Sequence, residues 1–326
     1  MERLVFDDDS RYSAVEAAIH LARYAVAVAY CRGARVLDIA CGEGYGAQFL
    51  ASQGAAEVVG IEVDRATVER ATHRYGSENV SFQCADAVRV DELLDANSFD
   101  LVVSLETIEH LSAPEQFLRA LRKVARPEAV LIVSCPNDHW YFPDPSEKNP
   151  YHLRKYRFEA FRQLSEAILG PANQWLLGGP VMGFGTVPLG EERQLQREKT
   201  QRRMHHSMSL GSAFAVPAED ELELLTKNSS YFVGVWGAAA HRPDQRSGSA
   251  VIYPLSMDAF HPAFQPAYCR QLESRNQVLE AHIVQLEEAL ATGRLFRRYL
   301  PDWLARLIKR LVGRREVNRE RSPAKR

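Results

Sequence analysis

Val36-Leu37-Asp38-Ile39-Ala40-Cys41-Gly42-Glu43-Gly44-Tyr45-Gly46 decides how this chain folds. β-favouring apolar residues stop at three glycines on alternate positions, and Ala47-Gln48-Phe49-Leu50-Ala51 continues in helix-forming residues. Such a run reads as a buried parallel strand, a tight turn and a helix start. Glycines let the backbone come close to a ligand, and the helix start offers free N–H groups and the positive end of a dipole. A doubly wound sheet builds a nucleotide site this way.

Four more apolar segments follow in order. Val58-Val59-Gly60-Ile61-Glu62 ends in a carboxylate 18 residues after Gly44, and Asn79 to Ala87 ends in Asp86. Phe99 to Glu106 runs into Thr107-Ile108-Glu109-His110-Leu111, and Ala129 to Asn137 is the fifth. Helical spacing is predicted at 13–30, 65–74, 90–95, 114–125 and 157–169. Strands alternating with helices, without hairpin turns, imply parallel pairing and an α/β fold. Ser230 to Gly237 reads as a last strand, antiparallel at the sheet edge.

The 326 residues are 46% hydrophobic, enough for a sizeable core. The net charge of −2 hides an asymmetry: residues 294–326 carry twelve Lys or Arg against three Asp or Glu, leaving 28 basic and 39 acidic residues before them. An acidic body argues against a nucleic-acid surface, and a basic tail favours an anionic one. Cys31, Cys41, Cys84, Cys135 and Cys269 are scattered, without Cys-x-x-Cys spacing, which suits a reducing cytoplasm. Met1-Glu2-Arg3-Leu4 does not read as a signal peptide, and no apolar run is long enough to span a bilayer.

The ordered motifs resemble class I S-adenosylmethionine-dependent methyltransferases over roughly residues 15–170. That resemblance implies a Rossmann-like, seven-stranded, mostly parallel sheet with helices on both faces, and S-adenosyl-L-methionine as cofactor. It implies that Asp38 lies near the methionine amino group, that Glu62 accepts from the ribose hydroxyls and that Asp86 accepts from the adenine amino group. Ala40, Gly42, Gly44, Val63, Ala87 and Leu105 complete the implied cofactor contacts. Gly-Glu-Gly-Tyr-Gly, rather than Gly-x-Gly-x-x-Gly, favours this cofactor over a nicotinamide. Ile19 to Tyr24 and Asn149-Pro150-Tyr151-His152 resemble a subset associated with bacterial surface-glycan pathways. The expected reaction is O-methylation of a sugar or glycan hydroxyl. A quinone, lipid or natural-product acceptor is one alternative, and a non-catalytic scaffold in polysaccharide assembly is another.

A hydroxyl acceptor must lose its proton as it attacks. His110, just past the fourth strand, is the expected base, with Glu109 orienting or replacing it. Arg23, Tyr151 and His152 are candidates to line the acceptor pocket. No carboxylate set of the kind that catechol-type metal sites need is identifiable, so no metal ligands are assigned and the sequence leaves a metal open.

The domain reading places the methyltransferase domain at 1–240, an insertion or lid at 180–230 and a linker at 241–268. From 269 to 292 the spacing is heptad: Leu272, Leu279 and Leu286 at d, Asn276, Ile283 and Leu290 at a, and Glu at every e position. One buried Asn favours a parallel homodimer. Residues 294–315 read as a basic amphipathic helix for an anionic membrane surface or an assembly partner, and 316–326 as a disordered tail. The expected location is cytoplasmic, peripheral at the inner membrane face.

Overall fold

The computed structural model describes residues 14–144, 146, 147, 149–180, 224–237 and 275–284. Residues 1–253 form one compact unit and 254–326 another.

Among the described residues of the first unit, seven α-helices and seven strands follow one another. They are α1 (Ala14–Cys31), β1 (Arg35–Ile39), α2 (Tyr45–Ser52), β2 (Glu57–Glu62), α3 (Arg65–Tyr75), β3 (Val80–Cys84), α4 (Val90–Leu93) and β4 (Phe99–Ser104). Then come α5 (Pro114–Val124), β5 (Ala125–Pro136), α6 (Asp138–Tyr141), α7 (Phe158–Leu169), β6 (Gln174–Gly178) and β7 (Tyr231–Trp236). The strands pair in the order β3-β2-β1-β4-β5-β7-β6. The first five are parallel. β7 runs antiparallel to both β5 and β6.

Parallel strands covered on both faces need apolar residues throughout, and β1, β2 and β4 are buried along nearly their whole length. Alternate residues split between two cores. Val36, Val58, Leu101 and Ile132 pack with Tyr24 and Ala27 of α1, Phe49 and Leu50 of α2 and Ala71 of α3. Leu37, Val59, Val102 and Leu131 pack with Phe117, Leu118 and Leu121 of α5 and Phe161 of α7.

The glycine turn is packed from beneath. Gly44 has φ +83°, and a Cβ there would sit 2.7 Å from the Phe82 ring. A Cβ on Gly46 would overlap the Tyr24 ring. At Gly42 (φ +53°) a Cβ would meet nothing within 4 Å among the described residues.

Two expectations need correction. β7 is not the edge strand: β6 pairs outside it and closes the sheet. β6 is five residues long and only half-buried, so Trp175-Leu176-Leu177 carries too little pattern to read as a strand. The third and fourth strands also stop earlier than their apolar runs, at Cys84 and Ser104. Asp86 instead caps a short 3-10 turn through Val88 N–H, and Glu106 turns the chain with φ +51°.

Residues 181–223 of the expected insertion (180–230), the whole linker, the basic helix and the tail lie outside the described residues. In the second unit, 275–284 are helical, and Val278, Leu279 and Val284 on it are exposed. Asn276, Glu280 and Ile283 also fall on it, while Leu272, Glu273, Leu286, Glu287 and Leu290 lie outside the described residues. Among the described residues, no helix is long and apolar enough to cross a membrane.

Candidate active site

The chain runs from β1 outward to β3, then returns to place β4 on the other side of β1. Ligands in open α/β sheets bind outside the carboxyl ends of the strands at such a switch point. The loops after β1, β2, β4 and β5 bring the candidate residues to this one edge.

After β1 and β2 the key group is Glu62, 4% exposed. Its Oε2 accepts from Gly42 N–H at 3.2 Å and its Oε1 from Asp64 N–H at 3.1 Å. These contacts fix the orientation of the carboxylate. Val63 beside it is exposed, and Asp86, also exposed, uses one oxygen to cap its own turn. Ala87 packs into the core, Leu105 is half-buried, and Ala40 enters the turn with φ +56°.

Asp38, on β1, is 1% exposed. The Tyr24 hydroxyl donates to its two oxygens at 3.1 and 3.2 Å. Burial still dominates and pushes the Asp38 carboxyl up to about 7, the Tyr24 hydrogen bond opposing the shift. Tyr24 and Tyr45 meet edge to face, and the Tyr45 hydroxyl lies 2.7 Å from His20 Nδ1. Burial, with the Arg23 charge adding to it, lowers the His20 pKa to about 3, so the ring is neutral.

Beyond β4 the geometry becomes acid–base in character. Glu106 Oε2 pairs with Arg23 at 2.8 Å, and its Oε1 accepts from Ser134 Oγ at 2.6 Å. The register of β4 against β5 puts Ser104 opposite Val133, which brings Ser134 under Glu106. Arg23 is buried, and its guanidinium also lies over the Tyr231 ring at 4.5 Å. It therefore ties α1 to the strand ends.

Glu109 is 1% exposed, and neither of its carboxylate oxygens has a hydrogen-bond partner among the described residues. Burial first, then the nearby Glu106 charge, pushes its carboxyl well above the usual range. His110 Nε2 lies 3.7 Å from Glu109 Oε1, while His110 Nδ1–H donates to the Tyr151 carbonyl at 2.9 Å. The 149–154 loop returns to this point because Leu153 N–H donates to the Glu109 carbonyl at 2.9 Å. That contact brings His152 against His110, ring centroids 4.7 Å apart, with His152 Nδ1–H donating to Asp138 at 2.5 Å. The Tyr151 side chain is 51% exposed, and it is the backbone of Tyr151 that touches His110.

The structure thus gathers Asp38, Gly42, Gly44 and Glu62 around one turn, and Glu109, His110 and His152 into one group. Sequence reading did not anticipate Tyr24 on Asp38, Ser134 on Glu106 or Asp138 on His152. His20, Arg23 and Tyr24 are spaced three and four apart on α1, a signal that they share a face. Ser134 and Asp138 had no local signal: strand register brings Ser134 in, and Asp138, at the start of α6, meets His152 of a later loop.

These features suit a nucleoside-containing cofactor: a glycine turn at Gly42, a buried oriented carboxylate at Glu62 and a carboxylate at Asp38. Residues 37–133 match the sequence family described as a methyltransferase domain. A probable S-adenosylmethionine-dependent methyltransferase of Mycolicibacterium smegmatis is 36% identical over 137 residues, 42% of this chain and 51% of that protein. The ubiquinone biosynthesis O-methyltransferase of Neisseria meningitidis serogroup C is 35% identical over 108 residues, 32% of this chain and 45% of that protein. A chloroplastic tocopherol O-methyltransferase of Arabidopsis thaliana is 34% identical over 103 residues, 30% of this chain and 29% of that protein. The chain spans about half the length, or less, of these relatives. Residues 37–133 are thus similar to methyltransferase domains, and the Mycolicibacterium smegmatis relative is named as S-adenosylmethionine-dependent.

Proposed function

We propose that this protein is an O-methyltransferase whose acceptor hydroxyl meets the group formed by Glu109, His110 and His152. The observation that carries the reading is the position of that group: it stands at the end of β4, the strand beside β1 and its glycine turn. S-adenosylmethionine supplies a methyl group on a sulfonium with a neutral leaving thioether. The protein's own work is alignment and removal of the hydroxyl proton. Glu62 would accept from the ribose hydroxyls, Asp86 from the adenine amino group, and Asp38 would face the cofactor's ammonium. His110 would take up the acceptor's proton at Nε2, because its Nδ1 holds the hydrogen given to the Tyr151 carbonyl.

This assignment makes cofactor binding pH-dependent. The Asp38 carboxyl is held up to about 7 in the free protein, so it is largely protonated below that pH. An ammonium partner favours the ionised form. Affinity for S-adenosylmethionine should therefore rise as pH increases towards 7 and level off above it. The Asp38→Asn variant should bind more weakly and lose this dependence. Calorimetric titration between pH 5.5 and 8.5 checks both, and a flat profile in the unaltered protein would remove Asp38 from the ammonium role.

The relatives' names favour a phenolic or quinone-type hydroxyl, since two of them are O-methyltransferases named for ubiquinone and tocopherol. A sugar hydroxyl is the second reading, favoured by Asn149-Pro150-Tyr151-His152, whose backbone and His152 ring both touch His110. Incubation with methyl-labelled S-adenosylmethionine and separated extracts tests the pair. Label in prenylated phenols supports the first reading, and label in lipid-linked glycans or sugar nucleotides the second. No label in any fraction, with the cofactor bound, favours a non-catalytic scaffold.

The C-terminal tail enters as a proposal too. Heptads at 272–290 would pair two copies in parallel, and 294–315 would lie on the inner membrane surface of the cell. Deleting 269–326 should keep cofactor binding while abolishing dimers in sedimentation and binding to anionic vesicles. A truncated chain that still dimerises on vesicles would contradict the tail's role.

A further inference from the structure

We infer that Glu109, His110 and His152 form a binding site for one divalent first-row transition-metal ion. One ligand atom from each of the three lies within 4.8 Å of the other two. The residues come from two separate segments, 42 positions apart between His110 and His152, and the sheet edge brings them together.

Glu109 is the strongest pointer. A carboxylate taken out of water without a hydrogen-bond partner is costly, and native structures rarely leave one so. Among the described residues both of its oxygens are in that state, and it stands with two imidazoles. Glu106 is nearby but already engaged by Arg23 and Ser134, so it adds no ligand here.

The histidines are held as metal ligands usually are. His110 Nδ1–H donates to a backbone carbonyl, and His152 Nδ1–H to the buried carboxylate of Asp138. Each outer contact fixes the tautomer, orients the ring and assigns Nε2 as the ligating nitrogen. With metal–ligand bonds of about 2.1 Å, neighbouring ligands stand roughly 3 Å apart, so the group must draw together by about 1–2 Å. His110 on a 3-10 turn and His152 on a loop require only small movements for this.

Two imidazoles and one carboxylate suit Mn2+, Fe2+, Co2+ or Zn2+ better than Mg2+ or Ca2+, which take oxygen ligands. Three protein ligands leave positions for an acceptor. Resting on the methyltransferase reading above, the ion would bind the acceptor hydroxyl and make it more acidic. The O–H bond breaks as the O–CH3 bond forms and the donor's C–S bond cleaves, and the proton passes to solvent water. His110 then serves as a ligand, and its base role passes to the ion and water.

The test uses the full-length chain, stripped with EDTA and dialysed. It is titrated separately with MnCl2, following free Mn2+ by electron paramagnetic resonance, and with CoCl2, following visible absorption. The expected result is saturable binding of one equivalent of ion. Glu109→Gln and His152→Ala should each weaken it at least about tenfold, and Asp138→Asn, which touches only the second shell, by about 10–100-fold. Binding of S-adenosylmethionine by each variant verifies that it folds. If neither ion binds saturably to the unaltered chain, or if binding is indifferent to all three substitutions, the site is overturned. Cofactor binding in that same unaltered chain would show that the methyltransferase reading survives the loss.

Discussion

His110→Ala is expected to lower kcat for methyl transfer by about 10²–10⁴-fold, the usual worth of a positioned proton acceptor. S-adenosylmethionine binding should change little, because Asp38, the glycine turn and Glu62 belong to β1 and β2, away from the turn after β4. The ring is held by Nδ1–H on the Tyr151 carbonyl, and its Nε2 lies 3.7 Å from Glu109 Oε1. Alanine removes both ring nitrogens and should leave the 3-10 turn that carries it in place. The separation of kcat from cofactor affinity is what identifies a chemical role. Steady-state kinetics alongside calorimetry decide it: a variant with kcat within about twofold of the original would show that His110 takes no part. An ion at this site predicts the same loss, and added Mn2+ should then stimulate the unaltered enzyme but not the variant.

The second large effect is expected at Glu62. In Glu62→Gln, one acceptor oxygen becomes an N–H2 group, yet both oxygens now accept backbone N–H bonds, from Gly42 and Asp64. One of these bonds is lost outright, and the other loses its charged partner. Hydrogen bonds to charged groups contribute about 1.5–3 kcal/mol each, so S-adenosylmethionine affinity should fall by about 10–150-fold. The loss should come from two sources: the missing acceptor for the ribose, and a Gly42 turn no longer held. Because the side chain is isosteric, the fold should persist with a modest drop in urea midpoint. Equal affinity in the variant would mean that the ligand does not reach this carboxylate.

Much of the parallel half of the sheet was legible because each strand there is a short apolar run bounded by a turn. Val36–Ile39, Val58–Glu62 and Phe99–Ser104 are buried on both faces, and such strands show themselves by composition alone. The antiparallel end was less legible. Tyr231–Trp236 announced itself as a strand, but its neighbour Gln174–Gly178 did not, and only pairing across more than fifty residues makes that segment a strand. The same rule governs the site. Asp38, Glu62, Asp86 and His110 each sit at the end of an apolar run, so their positions follow from spacing. Their partners do not: Ser134 reaches Glu106 through strand register, and His152 reaches His110 through a loop pinned on the Glu109 carbonyl. Sequence alone makes Glu109 either the group that orients His110 or the alternative base. Only its burial, invisible in a polar stretch of sequence, shows how strongly it needs a partner.

The most direct test of the central claim is titration of the full-length chain with S-adenosylmethionine at pH 7.5, beside Glu62→Gln. One equivalent should bind saturably to the unaltered protein, with the variant weaker by about 10–150-fold. No saturable binding, or equal binding by the two proteins, would contradict the site described around Gly42 and Glu62.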